Sequence, residues 1–441
     1  MRRPAPSSKS AAGSPRSVAV EAALLLALLR TAAAPAGAQL AGAEFQVNTY
    51  TTDSQAHSAV ASDPAGGFIV VWDSETQDGW ARGVRGRRFD PEGAPLGGEF
   101  PVNTYTTLAQ GIPAVAADGG GNCVVTWTSY QQDGNAAGVF AQRFAAGVPQ
   151  GEFQVNSFTT SDQKGVGIAA DASGDTALVW WSVGQDGSDA GIYTRRYDGA
   201  GLPVLGEQLV NVHTNGIQWT PAVAALGGDE FVVTWASYGQ DGSGDGIFAR
   251  LVDAAGLPAG AEIPVNSFTT GSQNAPSVAA DAAGGFVVVW ASAGQDGSAE
   301  GVFGQRFDAA GAPQEGEFRV NVATLGVQRE PAVAADADGG FLVTWQGQDG
   351  GNYGVFGRYL SETGTPASGE FRVNTFTSNY QMRPAVAAAG AGEFLVVWES
   401  AFQDGSGVGV YGQRALRGLF LDSFDSADVC AWSLAVGGGS C

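Results

Sequence analysis

Between Glu44 and Arg414 the chain writes one unit seven times, and this repetition limits what it can fold into more than any single motif does. A Glu stands four places before an Asn in every copy (Asn48, Asn103, Asn156, Asn211, Asn266, Asn321 and Asn374), and successive Asn lie 55, 53, 55, 55, 55 and 53 residues apart. From each Asn, a Gln follows after 7 residues and a Trp after 24, so the anchors run from Gln55 and Trp72 to Gln381 and Trp398. A unit of this size cannot bury its apolar surface alone, and stacked copies must share a core.

Within a copy the pattern is all strand. In the fifth copy, residues 276–280 are rich in Ala and Val, residues 286–291 are aromatic and β-branched, 301–308 resume extended character, and 317–321 read Glu-Phe-Arg-Val-Asn. Four short runs bounded by Gly and Asp turns, with no helical period, predict radial repetition: a seven-bladed β-propeller of four-stranded blades. The small first strand, A, lies at the crowded axis, B forms the blade centre, and C and D follow outward. The seven Trp should be buried between blades. No D-type run follows the last C strand at 409–414, whereas one precedes the first A strand at 44–48. The N-terminal run is therefore expected to complete the seventh blade and hide its edge. An open β-solenoid of seven turns is the competing fold.

The first 38 residues read as a secretory signal. Arg2, Arg3, Lys9 and Arg16 precede the apolar run 22–29, and Ala36-Gly37-Ala38 forms a small-x-small cleavage site. This places the protein outside the cytoplasm, secreted or in the cell envelope. The run is too short to span a bilayer, and no later stretch is long and apolar enough. The propeller is expected over 39–418 and a separate tail over 419–441. A net charge of −22 makes nucleic acid and anionic membrane poor partners. Cys123 stands at the start of a B strand and reads as a buried, inert thiol, while Cys430 and Cys441 could close a short C-terminal loop. The two histidines, His57 and His213, fall in different copies without a metal-ligand spacing or a recognisable triad, so no residue is assigned as catalytic.

Two faces follow from the strand order. The A-to-B and C-to-D turns on one are uniform; the D-to-A and B-to-C connections on the other are longer and richer, and any binding site belongs there. Residues that break the repeat on that face are the candidates: Trp80, Trp219, Lys164, Arg329 and Arg383, with Tyr130 and Tyr238. Exposed aromatics and isolated cations of this kind can hold sugar rings or acidic groups. The recurrent Gln-Asp-Gly of the B-to-C connections reads first as a turn. In copies four and five, Asp241, Ser243 and Asp245, and Asp296, Ser298 and Glu300, also place oxygens at alternate positions, as a calcium loop does. Arginines on strand C, such as Arg88, are placed to pair with the Glu that opens strand D, such as Glu99.

The unit GGFVVVWASAGQDGSAEGVFGQRFDAAGAP followed by GEFRVN resembles tandem repeats of large secreted bacterial proteins, mostly uncharacterised. The resemblance covers about residues 43–418; it implies an extracellular β-propeller and no particular activity. The tail from Leu419 to Trp432 resembles a short C-terminal motif of exported bacterial proteins, which implies sorting or anchoring. Together these lead to a secreted, non-enzymatic propeller that presents a face to carbohydrate or to an extracellular protein. The rival readings are a carbohydrate-active enzyme, such as a glycoside hydrolase or sialidase-like protein, and a structural envelope component. Acids clustered at the axial mouth would mark the enzyme, an aromatic-rimmed groove the binder, and a uniform sevenfold face the structural protein.

Overall fold

A computed structural model describes Met1 and residues 38–390 and 392–417; the signal segment, the C-terminal tail and the Cys430–Cys441 question lie outside the described residues. Seven four-stranded antiparallel sheets form a ring, a seven-bladed β-propeller. Each A strand begins at the repeat's Gln. In the fifth blade the strands are Gln273–Ala280, Phe286–Ala293, Glu300–Phe307 and Pro313–Arg319, in that order from the axis outward. Strand D ends before the repeat Asn. That Asn is buried as a cap instead: Asn321 Oδ1 accepts the Val302 N–H at 2.8 Å, and the same bond recurs in every blade.

The ring closes as the repeat predicts. Ala38–Gln46 joins Val408–Arg417 as the outer strand of the seventh blade, with Phe45 opposite Gly412 and Ala38 opposite Arg417. A methyl group at Gly412 would come within 2.9 Å of the Phe45 ring, so the small residue makes room for the ring that seals the seam.

The apolar core is divided into seven layers, each lying between two neighbouring blades. The layer between blades four and five holds Val232, Val278, Phe286 and Trp290; the layer that crosses the seam holds Val47, Trp72, Leu395 and Val397. Each layer receives one repeat Trp, and all seven are fully buried. Truncating one to Ala should cost about 3 to 5 kcal/mol. Cys123 is a free, buried thiol, and burial pushes its pKa up to about 11 against the nearby Arg88.

The expected Arg–Glu pairs across the C–D hairpin do not form. Glu99 reaches the preceding blade instead, accepting the Tyr50 N–H at 3.1 Å and the Thr49 hydroxyl at 2.8 Å, and it takes Gln77 Nε2 at 2.7 Å. Glu44, Glu152, Glu207, Glu262, Glu317 and Glu370 make the same reach. Free backbone N–H groups after each Asn attract the carboxylate more effectively than an arginine on the hairpin. The arginines turn elsewhere: Arg306 to Asp281 at 3.3 Å, Arg196 to Asp175 at 2.9 Å, and Arg88 to Cys123 Sγ at 3.4 Å.

Candidate functional site

The third residue of every A strand bulges. His57, Ile112, Gly165, Thr220, Ala275, Glu330 and Arg383 all have φ between 47° and 64°, and the A–B register slips at each of them. This left-handed conformation is costly for side chains, most of all for β-branched Ile112 and Thr220. The bulge turns these seven positions inward, where together they line a cavity of about 340 Å³ at the axial mouth of the richer face. The fold repeats the backbone of this ring sevenfold, but the side chains differ at every position.

The chemistry is concentrated where the first and last blades meet. Asp73 and Glu399 occupy the position after the repeat Trp, which is Thr128, Trp181, Ala236, Ala291 or Gln346 in the other blades. Asp73 is fully buried; it accepts His57 Nδ1 at 2.7 Å, Arg82 Nη1 at 3.3 Å and the Ile112 N–H at 3.0 Å. Glu399 accepts the His57 N–H at 2.7 Å and lies 3.3 Å from Arg383 Nη1 through both oxygens. Each carboxylate thus satisfies the N–H of the next blade's bulge and also orients a side chain at the mouth. His57 is 24% exposed and Arg383 is 49% exposed, so both remain reachable from the cavity.

The other sequence candidates are on the same face, spread around this mouth. Trp80 is 64% exposed in the first B-to-C turn, and Tyr238 is 61% exposed at the end of the fourth B strand. Lys164 and Tyr130 are brought together: the ammonium lies 5.4 Å from the Tyr130 ring and 6.0 Å from that of Trp181, and is bonded to Asp162 at 2.8 Å. Trp181 also dictates its neighbour, since any Cβ at Gly165 would fall 2.4 Å from the indole nitrogen. Trp219 donates to Asp245 Oδ1 at 3.2 Å. Arg329 lies over Tyr353, whose ring packs on exposed Tyr380.

The two candidate calcium loops use their oxygens in hydrogen bonds within the turn and to the next connection. Asp241 and Asp296 accept the N–H of Ser243 and Ser298 in their own turns, at 3.1 Å each. Both serine hydroxyls reach the next blade, where they accept the Gly271 and Gly326 N–H at 3.2 Å. Burial pushes the Glu300 carboxyl above its ordinary range against the charge of Arg329, and Glu330 adds to the push. Among the described residues, the carboxylates close enough to share an ion are Asp171, Asp175 and Asp229 on the opposite face, where Asp175 already holds Arg196.

Of the residues gathered at this mouth, the candidates read from the sequence include Arg383 and not His57, Asp73 or Glu399. A signal was present: two acids at a position otherwise filled by Thr, Trp, Ala or Gln, in the two copies that ring closure makes neighbours. The aromatic rim also includes Tyr380 and Phe402, exposed by 46% and 61%.

No family model matches the chain, and no curated protein matches it significantly. Solved structures of similar shape include a protein of unknown function from Dyadobacter fermentans DSM 18053, with a TM-score of 0.54 and 11% identity over 86% of this chain and 99% of that one. Another is a polysaccharide lyase, an ulvan lyase, with a TM-score of 0.50 and 10% identity over 83% of this chain and 95% of that one. At such identities the likeness is one of fold alone.

Proposed function

We propose that the protein is a secreted propeller that takes a carbohydrate onto its D-to-A and B-to-C face, centred on the axial mouth. One observation carries this reading: exposed aromatic side chains share a face with a mouth whose seven ring residues all differ, while five of the seven A-to-B turns on the opposite face keep one Asp-capped pattern. Flat rings in water offer the apolar faces of sugars a stacking surface, and His57, Glu330 and Arg383 offer hydroxyl groups donors and acceptors. A purely structural ring has no use for such variation. The similarly shaped ulvan lyase acts on a polysaccharide, which is in keeping with this reading but does not carry it.

A glycan array probed with the secreted protein tests it. Binding should be specific, and Trp80→Ala and Trp219→Ala should each weaken it with little effect on melting temperature. Binding that survives Trp80→Ala, Trp219→Ala and Arg383→Ala together would place the ligand elsewhere.

A further inference from the structure

We infer that the mouth carries out proton transfer on its ligand: His57, oriented by Asp73, is a general base that cleaves a uronate-bearing glycan by β-elimination. This rests on the carbohydrate reading above and adds a reaction and a substrate class to it.

The arrangement is that of a base and its orienter. Asp73 is fully buried and 2.7 Å from His57 Nδ1, which fixes the imidazole with Nδ1–H donated inward. Among the described residues no hydrogen bond engages Nε2, and His57 lines the cavity. A nitrogen lone pair held at a ligand-sized cavity by a buried carboxylate is how a histidine base is built. The strained backbone supports this as well. His57 sits at φ 52° with its N–H bonded to Glu399, so the ring is fixed from both main chain and side chain.

The partners at the mouth select the reaction. Glycoside hydrolysis by paired carboxyl groups needs two of them free to face the sugar. Asp73 and Glu399 have side chains 0% and 2% exposed, each already bonded to an arginine and to a backbone N–H. Glu330 is the exposed carboxylate of the ring. The mouth therefore offers one oriented base and, in Arg383, a half-exposed guanidinium with donors beyond the one that meets Glu399. A guanidinium beside a base suits removal of a proton α to a carboxylate, because it stabilises the charge that develops on the carboxylate oxygens.

The step balances without a further reagent. His57 Nε2 takes the α proton, the electron pair forms a carbon–carbon double bond, and the bond from the β-carbon to the bridging oxygen breaks. The imidazolium then returns its proton to the departing sugar oxygen, leaving His57 neutral. The protein's net charge of −22 adds a restriction. A densely charged polyanion would be repelled at long range, so the substrate should carry uronates sparsely among neutral sugars.

The experiment incubates the full secreted chain with a panel of uronate-containing polysaccharides, sparse and dense, and follows both binding and the ultraviolet absorbance of the unsaturated product. The expected result is product from a sparsely charged polymer. His57→Asn, chosen because Asn tolerates positive φ, should lower the rate by about a hundredfold or more while binding persists. Asp73→Asn, a positioning change, should lower kcat and displace the acidic limb of the pH–rate profile, and Arg383→Lys should lower kcat more than it raises KM, because the developing charge is stronger in the transition state than in the bound ligand. Glycan binding with no product from the unaltered protein would overturn this inference and leave the binding reading intact. So would new reducing ends without absorbance, or an unimpaired His57→Asn variant that melts normally. Failure to bind any glycan would overturn both.

Discussion

The two mouths of the propeller use the same backbone symmetry and differ in what they do with it. At the A-to-B mouth, Asp63, Asp118, Asp171, Asp281 and Asp336 each accept the N–H groups two and four residues on, and Ala and Gly fill the remainder. Five of the seven turns share this pattern, because its hydrogen bonds are local, while blades four and seven turn through Gly227, Gly228 and Gly390 at positive φ instead. At the other mouth the repeated feature is a strained bulge, and the side chains it displays are all different. Strain kept in seven blades with variable side chains is what a site needs from a scaffold: fixed positions and free chemistry. The two mouths thus separate residues that hold the ring from residues that the ring leaves free to vary.

The largest effect that would test this separation is at Asp73. Removing it leaves Arg82, His57 and the Ile112 N–H without their acceptor, so Asp73→Ala should cost about 2 to 3 kcal/mol. This is below the usual penalty for breaking a fully buried pair, because Arg82 keeps contact with water. Thr128→Ala, at the equivalent position of the second blade, removes a buried hydroxyl that has no hydrogen-bond partner and should cost about 1 kcal/mol or less, through the lost methyl group. Equal losses in denaturant titrations would mean that the first-to-seventh junction is not special.

Acid should act next, at the rim of the richer face. Burial pushes the Glu99 carboxyl up, but the Thr49 N–H, the Gln77 amide, the Thr49 hydroxyl and the Tyr50 N–H outweigh it and hold the group below its ordinary range. Its contribution is therefore complete above the unfolded carboxyl value of about 4.3 and is lost as pH falls through the lower folded value. Melting temperature should drop below that pH, and Glu99→Gln should soften the drop. An identical acid profile for the variant would remove this clasp from the account.

On the uniform face, Asp281→Ala should cost about 1 to 2 kcal/mol, through the lost Ala283 and Gly285 N–H bonds and the Arg306 pair. It should leave ligand binding unchanged, and a loss of binding would show that the site extends to both mouths. The smallest effect has the opposite sign. Thr220→Gly relieves a β-branched residue at φ 47°, so it should stabilise the protein by about 1 kcal/mol. A destabilised variant would show that the Thr220 side chain contributes more packing than its backbone loses in strain.

Much of the fold was legible because anchors such as Trp290 and Asn321 recur in register, and repetition turns a weak local signal into a strong one. The closing strand followed from counting D runs, and the burial of Cys123 from its place in strand B. The Glu99 clasp was misassigned to an arginine, since sequence spacing favours partners on one hairpin over a backbone N–H supplied by another blade. The bulges were hidden for a different reason. Nothing in His57, Ile112 or Glu330 announces positive φ, as a glycine would. Asp73 and Glu399 escaped notice because they are far apart along the chain, and only the closed ring makes their blades adjacent.

That ring has a consequence for how the molecule comes into being. Of the propeller's strands, Ala38–Gln46 is synthesised before the others, and its partner Val408–Arg417 follows all the intervening ones. Until then the earliest strand has no permanent neighbour, and blade one lacks the layer that Leu395 and Val397 supply. Bringing such distant segments together adds little thermodynamic penalty, because closure entropy grows only with the logarithm of chain length, but it makes the seam a late event. His57, Asp73 and Glu399 straddle that seam, so the mouth is assembled only once the seventh blade has been made. A chain cut short within its last blade would keep most of its layers and lack the junction that holds His57 between Asp73 and Glu399.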